Sequence, residues 1–178
     1  MINFNRDILD DLVKNKITIE QVQFGKIKIG EPIEAIDIFE INDIYILNPS
    51  LNSYNFENSN YTIRERVEQL HKFDGYIHLA GGLSCCIKNQ KVSDYRISKR
   101  YIEGITHYTR EEIIMFNGNP DYELEDINPW GIDVDNYILV YINKKLNFYI
   151  NPENNKLKEI YTAELDKSKF KMREFKGP

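Results

Sequence analysis

Residues 136–162, NYILVYINKKLNFYINPENNKLKEIYT, are three runs of β-branched and aromatic residues separated by two polar breaks. The breaks, Asn143-Lys144 and Asn151–Asn155, have turn chemistry, so the stretch is expected to fold as a three-stranded antiparallel meander. Alternation places Tyr137, Leu139, Tyr141, Leu146, Phe148 and Ile150 on one apolar face, with Leu139 opposite Phe148. Upstream, Thr109-Arg110-Glu111-Glu112 has the form of a capping box, which starts a helix carrying Ile113, Ile114 and Phe116. Gly118, able to take a left-handed cap, ends it. A loop holding the Asp121–Asp126 cluster, Pro129, Trp130 and Gly131 is expected between helix and meander.

The same plan is legible in the first half. GYIHLAGGLSCCIKNQKVSDYRI (75–97) gives three more short strands, turning at Gly81-Gly82 and Asn89-Gln90. Laying Tyr76 on Tyr137 matches Ile77 with Ile138 and Leu79 with Val140, and a slightly longer turn in the second copy then matches Leu83 with Leu146 and Ile87 with Ile150. Pro32–Phe39 then falls on Thr109–Phe116, so EPIEAIDIFE is expected to be the first copy's helix, opened by Pro32. Around these lie a short amphipathic helix over 5–15, with Ile8, Leu9, Leu12 and Val13 on one stripe, and a strand over 17–30 that turns or bulges at Gly25. A strand starts near Ile41. The spacing of Ile63, Val67, Leu70 and Phe73 fits a helix over 61–73, although Tyr61–Arg66 also reads as strand. The resulting expectation is an α+β fold of two helix-plus-three-stranded-meander repeats, at 1–100 and 101–178. Their strands would form one curved antiparallel sheet with helices on one face.

A short helix opened by Thr or Pro, then Phe116-Asn117-Gly118-Asn119-Pro120-Asp121, then a meander over Asn136–Tyr161, resembles the small domain of the outer-membrane assembly lipoproteins. The tandem pair, with its fainter copy at Gly30–Phe39 and Tyr76–Ile97, resembles the β-lactamase inhibitor protein family. What the resemblance implies is a scaffold that binds other proteins. The chain departs from both: MINFNRDILDDL is too acidic for a secretion signal and has no lipid-anchoring cysteine, and adjacent Cys85 and Cys86 supply no disulfide framework. A reducing, cytoplasmic setting is therefore expected.

The 178 residues are 42% hydrophobic and 29% charged, enough for a core and too ordinary for wholesale disorder. A net charge of −5 gives no support to nucleic-acid binding. No run is long enough to span a membrane. His71, His78 and His107 show no metal-ligand spacing, and no calcium loop, phosphate-binding glycine loop or nucleophile elbow is present, so neither metal nor cofactor is expected. A two-residue turn at Gly81-Gly82 would set His78 opposite Cys85, which makes that pair the one nucleophile-and-base candidate. The second copy holds Leu139 and Phe148 there, so a core role is the favoured reading of Cys85.

Charge patterning is the most distinctive feature. No Lys or Arg lies between Lys28 and Arg64, nor between Arg110 and Lys144, while six and eight acidic residues fall in those gaps. Aromatic residues sit among them. The expected interface therefore comprises Tyr122, Glu123, Glu125, Asp126, Trp130, Asp133 and Asp135, with Tyr45 and Tyr54 from the first gap. The functional expectation is a non-enzymatic inhibitory or protein-binding module, such as a bacterial immunity protein that neutralises a basic toxin. The rivals are a small enzyme using Cys85/His78 or clustered carboxylates, and an assembly scaffold.

Overall fold

The computed structural model describes residues 7–48, 53–54, 61–127, 134–165 and 170–173, among which three short α-helices and twelve strands, joined largely by antiparallel pairings, make up an α+β protein. The chain divides into two compact units. The first spans Gln23–Arg96; the second combines residues 7–22 with those from Ile97 onward. The N-terminal helix, expected within a first domain of 1–100, falls in the second of these units. Its tethers are specific: the buried Asn117 amide donates to the Val13 carbonyl at 2.8 Å, and the Tyr108 hydroxyl donates to Asp10.

In the first unit, β1 (Gln23–Phe24) and β2 (Ile27–Lys28) form a minimal hairpin. Gly25 turns it at a φ of +63°, a conformation costly for other residues. Of the strand expected over 17–30 with a turn or bulge at Gly25, the turn is present in this hairpin, whereas Ile19–Gln21 is a 3-10 turn in the second unit. Phe24 is buried edge-on against Tyr95, with ring centroids 5.2 Å apart. The expected helix over 31–40 is two 3-10 turns, Ile33–Ala35 and Ile38–Glu40. Ile33 and Ile36 keep a helical spacing but Ile38 breaks it, and β-branched side chains stiffen against a helix there. The strands β3 (Ile41–Asn48), β4 (Ser53–Tyr54), β5 (Gly75–Leu79), β6 (Leu83–Lys88) and β7 (Lys91–Ile97) follow, side by side in the order β7-β6-β5-β3-β4.

Residues 63–70 are helix, not strand: α2 (Ile63–Leu70) is opened by a capping box between Thr62 and Glu65. Gly75 is required where β5 passes this helix. A Cβ there would stand 2.3 Å from the Tyr45 carbonyl oxygen and 2.7 Å from a Leu70 methyl.

In the second unit, α1 (Asp7–Val13) buries Leu9, Leu12 and Val13. The Thr109 box opens α3 (Arg110–Asn117), whose N-cap hydroxyl accepts from the Glu112 N–H. Its end is closed from the meander: Lys144 donates to the Asn117 carbonyl at 2.9 Å and Tyr141 to the Gly118 carbonyl at 2.9 Å. Strands β8 (Tyr122–Ile127), β9 (Val134–Tyr141), β10 (Leu146–Asn151), β11 (Lys156–Tyr161) and β12 (Lys171–Arg173) lie in the order β12-β8-β9-β10-β11. Leu139 pairs with Phe148 as the alternation demands, and both are fully buried. On the other face Leu124, Ile138, Val140 and Tyr149 form a cluster covered by Tyr122, Tyr161, Leu165 and Phe170.

Candidate protein-interaction site

The residues expected to form one acidic surface are distributed very differently. Tyr122–Asp126 is strand β8 rather than a solvated loop, and its side chains alternate between faces. Glu123 is only 1% exposed; both of its oxygens accept from Arg110, Nε at 3.0 Å and Nη2 at 2.7 Å. This bidentate pair holds the Arg110 guanidinium more firmly protonated than usual. Glu123 is therefore a structural carboxylate, removed from any solvent-facing patch. Glu125 pairs with Lys171 at 3.4 Å, and Asp126 accepts from the Asn136 amide at 2.9 Å. Tyr122 packs on the Leu124 cluster. Asp135 is exposed. Trp130 and Asp133 lie outside the described residues.

Tyr45 is half-buried on β3, edge-on to His78 with centroids 4.9 Å apart, and Tyr54 pairs with Leu47 on β4. The expected His78–Cys85 pair does not form. The connection between β5 and β6 has three residues, Ala80, Gly81 and Gly82, so Leu79 faces Leu83 and the register moves by one. A one-residue slip puts every partner on the other face. Cys85 consequently lies opposite Ile77, fully buried, and desolvation raises its thiol pKa far above the ordinary value. His78 lies opposite Ser84, whose hydroxyl is 2.7 Å from Nδ1. Partial burial lowers the imidazole pKa, favouring the neutral ring that can accept this bond. Among the described residues, no group of His, Cys, Asp and Glu side chains converges as metal ligands would.

The first acidic gap holds a surface that sequence reasoning passed over. Phe39, matched there with the helix residue Phe116, is 94% exposed. It sits on the second 3-10 turn, where the Asp37 carboxylate accepts its N–H at 3.0 Å. Glu34 and Asp37 are exposed beside it and Glu40 is half-buried. Together with Lys26 these three carboxylates line a depression of about 420 Å³ next to the turn. The backbone beneath is pinned to β7: Gly30 donates to Val92 at 2.8 Å, Val92 to Glu31 at 2.9 Å and Ile33 to Gln90 at 3.1 Å. Ile33 and Ile36 anchor the segment inward. A large aromatic is thus held out in water on a fixed base, bordered by negative charge. The signal was present in Asp37-x-Phe39, a side-chain-capped turn, and in the acidic residues that flank the ring.

No known protein family, no curated protein and no solved structure matches this chain. Among the described residues no helix is long and apolar enough to cross a membrane.

Proposed function

We propose that this chain is a non-enzymatic protein-binding module of the inhibitory or immunity kind, acting in the cytoplasm on a basic protein such as a toxin domain. The observation that carries the reading is Phe39, almost wholly exposed on an anchored turn among Glu34, Asp37 and Glu40. An exposed ring on a pre-formed turn suits burial in a partner's apolar pocket, and aromatic anchors of this kind dominate interface energies. The carboxylates around it, in a stretch from 29 to 63 without any Lys or Arg, would steer a cationic surface toward it. The tandem plan belongs to the same reading. Each unit holds a three-stranded meander with one further strand beside its first; aligning the paired residues Ile77–Cys85 and Leu139–Phe148 sets Ile77 on Leu139, one residue away from the expected match with Ile138.

The test needs a partner, captured with the tagged chain from the native organism or co-expressed from a neighbouring toxin gene. Phe39→Ala is expected to weaken binding by about tenfold or more, mainly through faster dissociation. Glu34→Lys with Glu40→Lys is expected to slow association, the effect fading as salt shortens the Debye length to about 8 Å and below. A captured partner that binds Phe39→Ala with unchanged affinity would overturn the assignment of this turn as the interface.

A further inference from the structure

The second unit contains a different kind of site. Between residues 98–107 and the turn joining β10 to β11 lies a cavity of about 600 Å³, within the ~300–1,000 Å³ range of small-molecule sites. Its charge runs against the rest of the chain, whose net charge is −5. Lys99, Lys156 and Lys158 line it with a single carboxylate, Glu159, which is buried. Lys158 is engaged with the Asn136 amide oxygen at 2.8 Å. Lys99 and Lys156 are exposed and make no ion pair among the described residues.

The neutral donors point the same way. The side-chain oxygen of Asn151 accepts the Glu153 N–H at 2.8 Å, and that of Asn154 accepts the Lys156 N–H at 3.1 Å. With both oxygens committed to the turn, what these amides have left to offer a ligand is N–H. Lys99 sits at the cavity with a φ of +51°, a left-handed backbone also found at Lys145, Gln90 and three asparagines of this chain. Glu112, in the nearby capping box, is held below the usual carboxylate range by the Thr109 N–H and hydroxyl, and further by His107 and Lys156. Ile102 and Leu157 supply buried apolar surface beneath the charges.

We propose that this cavity binds a small organic phosphate, with Lys99, Lys156 and the two asparagine amides holding the phosphate and Ile102 and Leu157 meeting the organic body. Two ammonium groups and several N–H donors suit a dianion with many acceptor oxygens, and the volume exceeds what bare phosphate would fill.

The test uses the full chain, with phenyl phosphate and inorganic phosphate as probes, followed by calorimetry and by the His107 ring resonances. Phenyl phosphate is expected to bind more tightly than inorganic phosphate and to shift His107. Lys99→Asn with Lys156→Gln, which keeps a residue tolerant of left-handed backbone at 99, should weaken it by about tenfold or more. Lys28→Gln with Lys72→Gln removes the same charge elsewhere and should leave affinity within about twofold. Absence of phenyl phosphate binding at about 10 mM would overturn the proposal. Equal weakening by the control pair would do the same, because it would reduce the effect to general electrostatics.

Discussion

Glu123 shows how a single residue changes meaning between sequence and structure. In a run of four acidic residues within six positions it reads as part of a solvated patch, yet it is buried with its charge satisfied by Arg110. The partner lies on a separate helix, so nothing local to the strand announces it. Breaking such a pair from one side leaves an uncompensated buried charge. Glu123→Ala should therefore destabilise the protein by about 3–5 kcal/mol, measured by urea unfolding. Replacing both partners with apolar residues, Arg110→Met with Glu123→Leu, should recover most of that loss. A single substitution costing less than about 1 kcal/mol would show that Arg110 finds water instead.

At the scale of elements, local chemistry was legible and long-range register was not. The Thr109 capping box, the apolar stripe of α1, the Ile63–Leu70 spacing and both meanders follow from side-chain pattern, because each is settled by neighbours a few residues apart. The β5–β6 register depended on whether the Gly81-Gly82 connection held two residues or three, and glycines fit either. The edge of β3 was equally hidden. β4 pairs only with Leu47 and Asn48, leaving the remaining outer edge of β3 without a strand partner among the described residues. There Asp43 accepts the Ile44 N–H at 2.8 Å, while Arg66 donates to the Ile44 carbonyl at 3.3 Å and pairs with Asp43. Side-chain charges thus occupy backbone groups that another chain's strand would use. Asp43→Ala with Arg66→Ala should free them. The variant is expected to elute as a larger, concentration-dependent species than its parent while its circular dichroism is retained. Unchanged elution at every concentration would assign the protection of this edge to something else.

For the whole molecule, the cysteines provide a readout of global opening. Cys85 is fully buried in the first unit with its thiol pKa pushed up by desolvation, so modification requires that unit to open. Iodoacetamide labelling of Cys85, followed by mass spectrometry across a urea series, should track the unfolding transition. Rapid labelling in buffer at neutral pH would contradict the packing of Ile77 against it. The turn at residues 31–40 behaves in the opposite way. It is secured by main-chain bonds to β7 and by the inward Ile33 and Ile36, whereas Glu34, Phe39 and the depression beside them lie on the outside. Support and display are consequently separate sets of atoms. Outward positions of this kind can drift in sequence with little penalty to folding, so related chains could be retargeted by exchanging a few side chains on an unchanged frame.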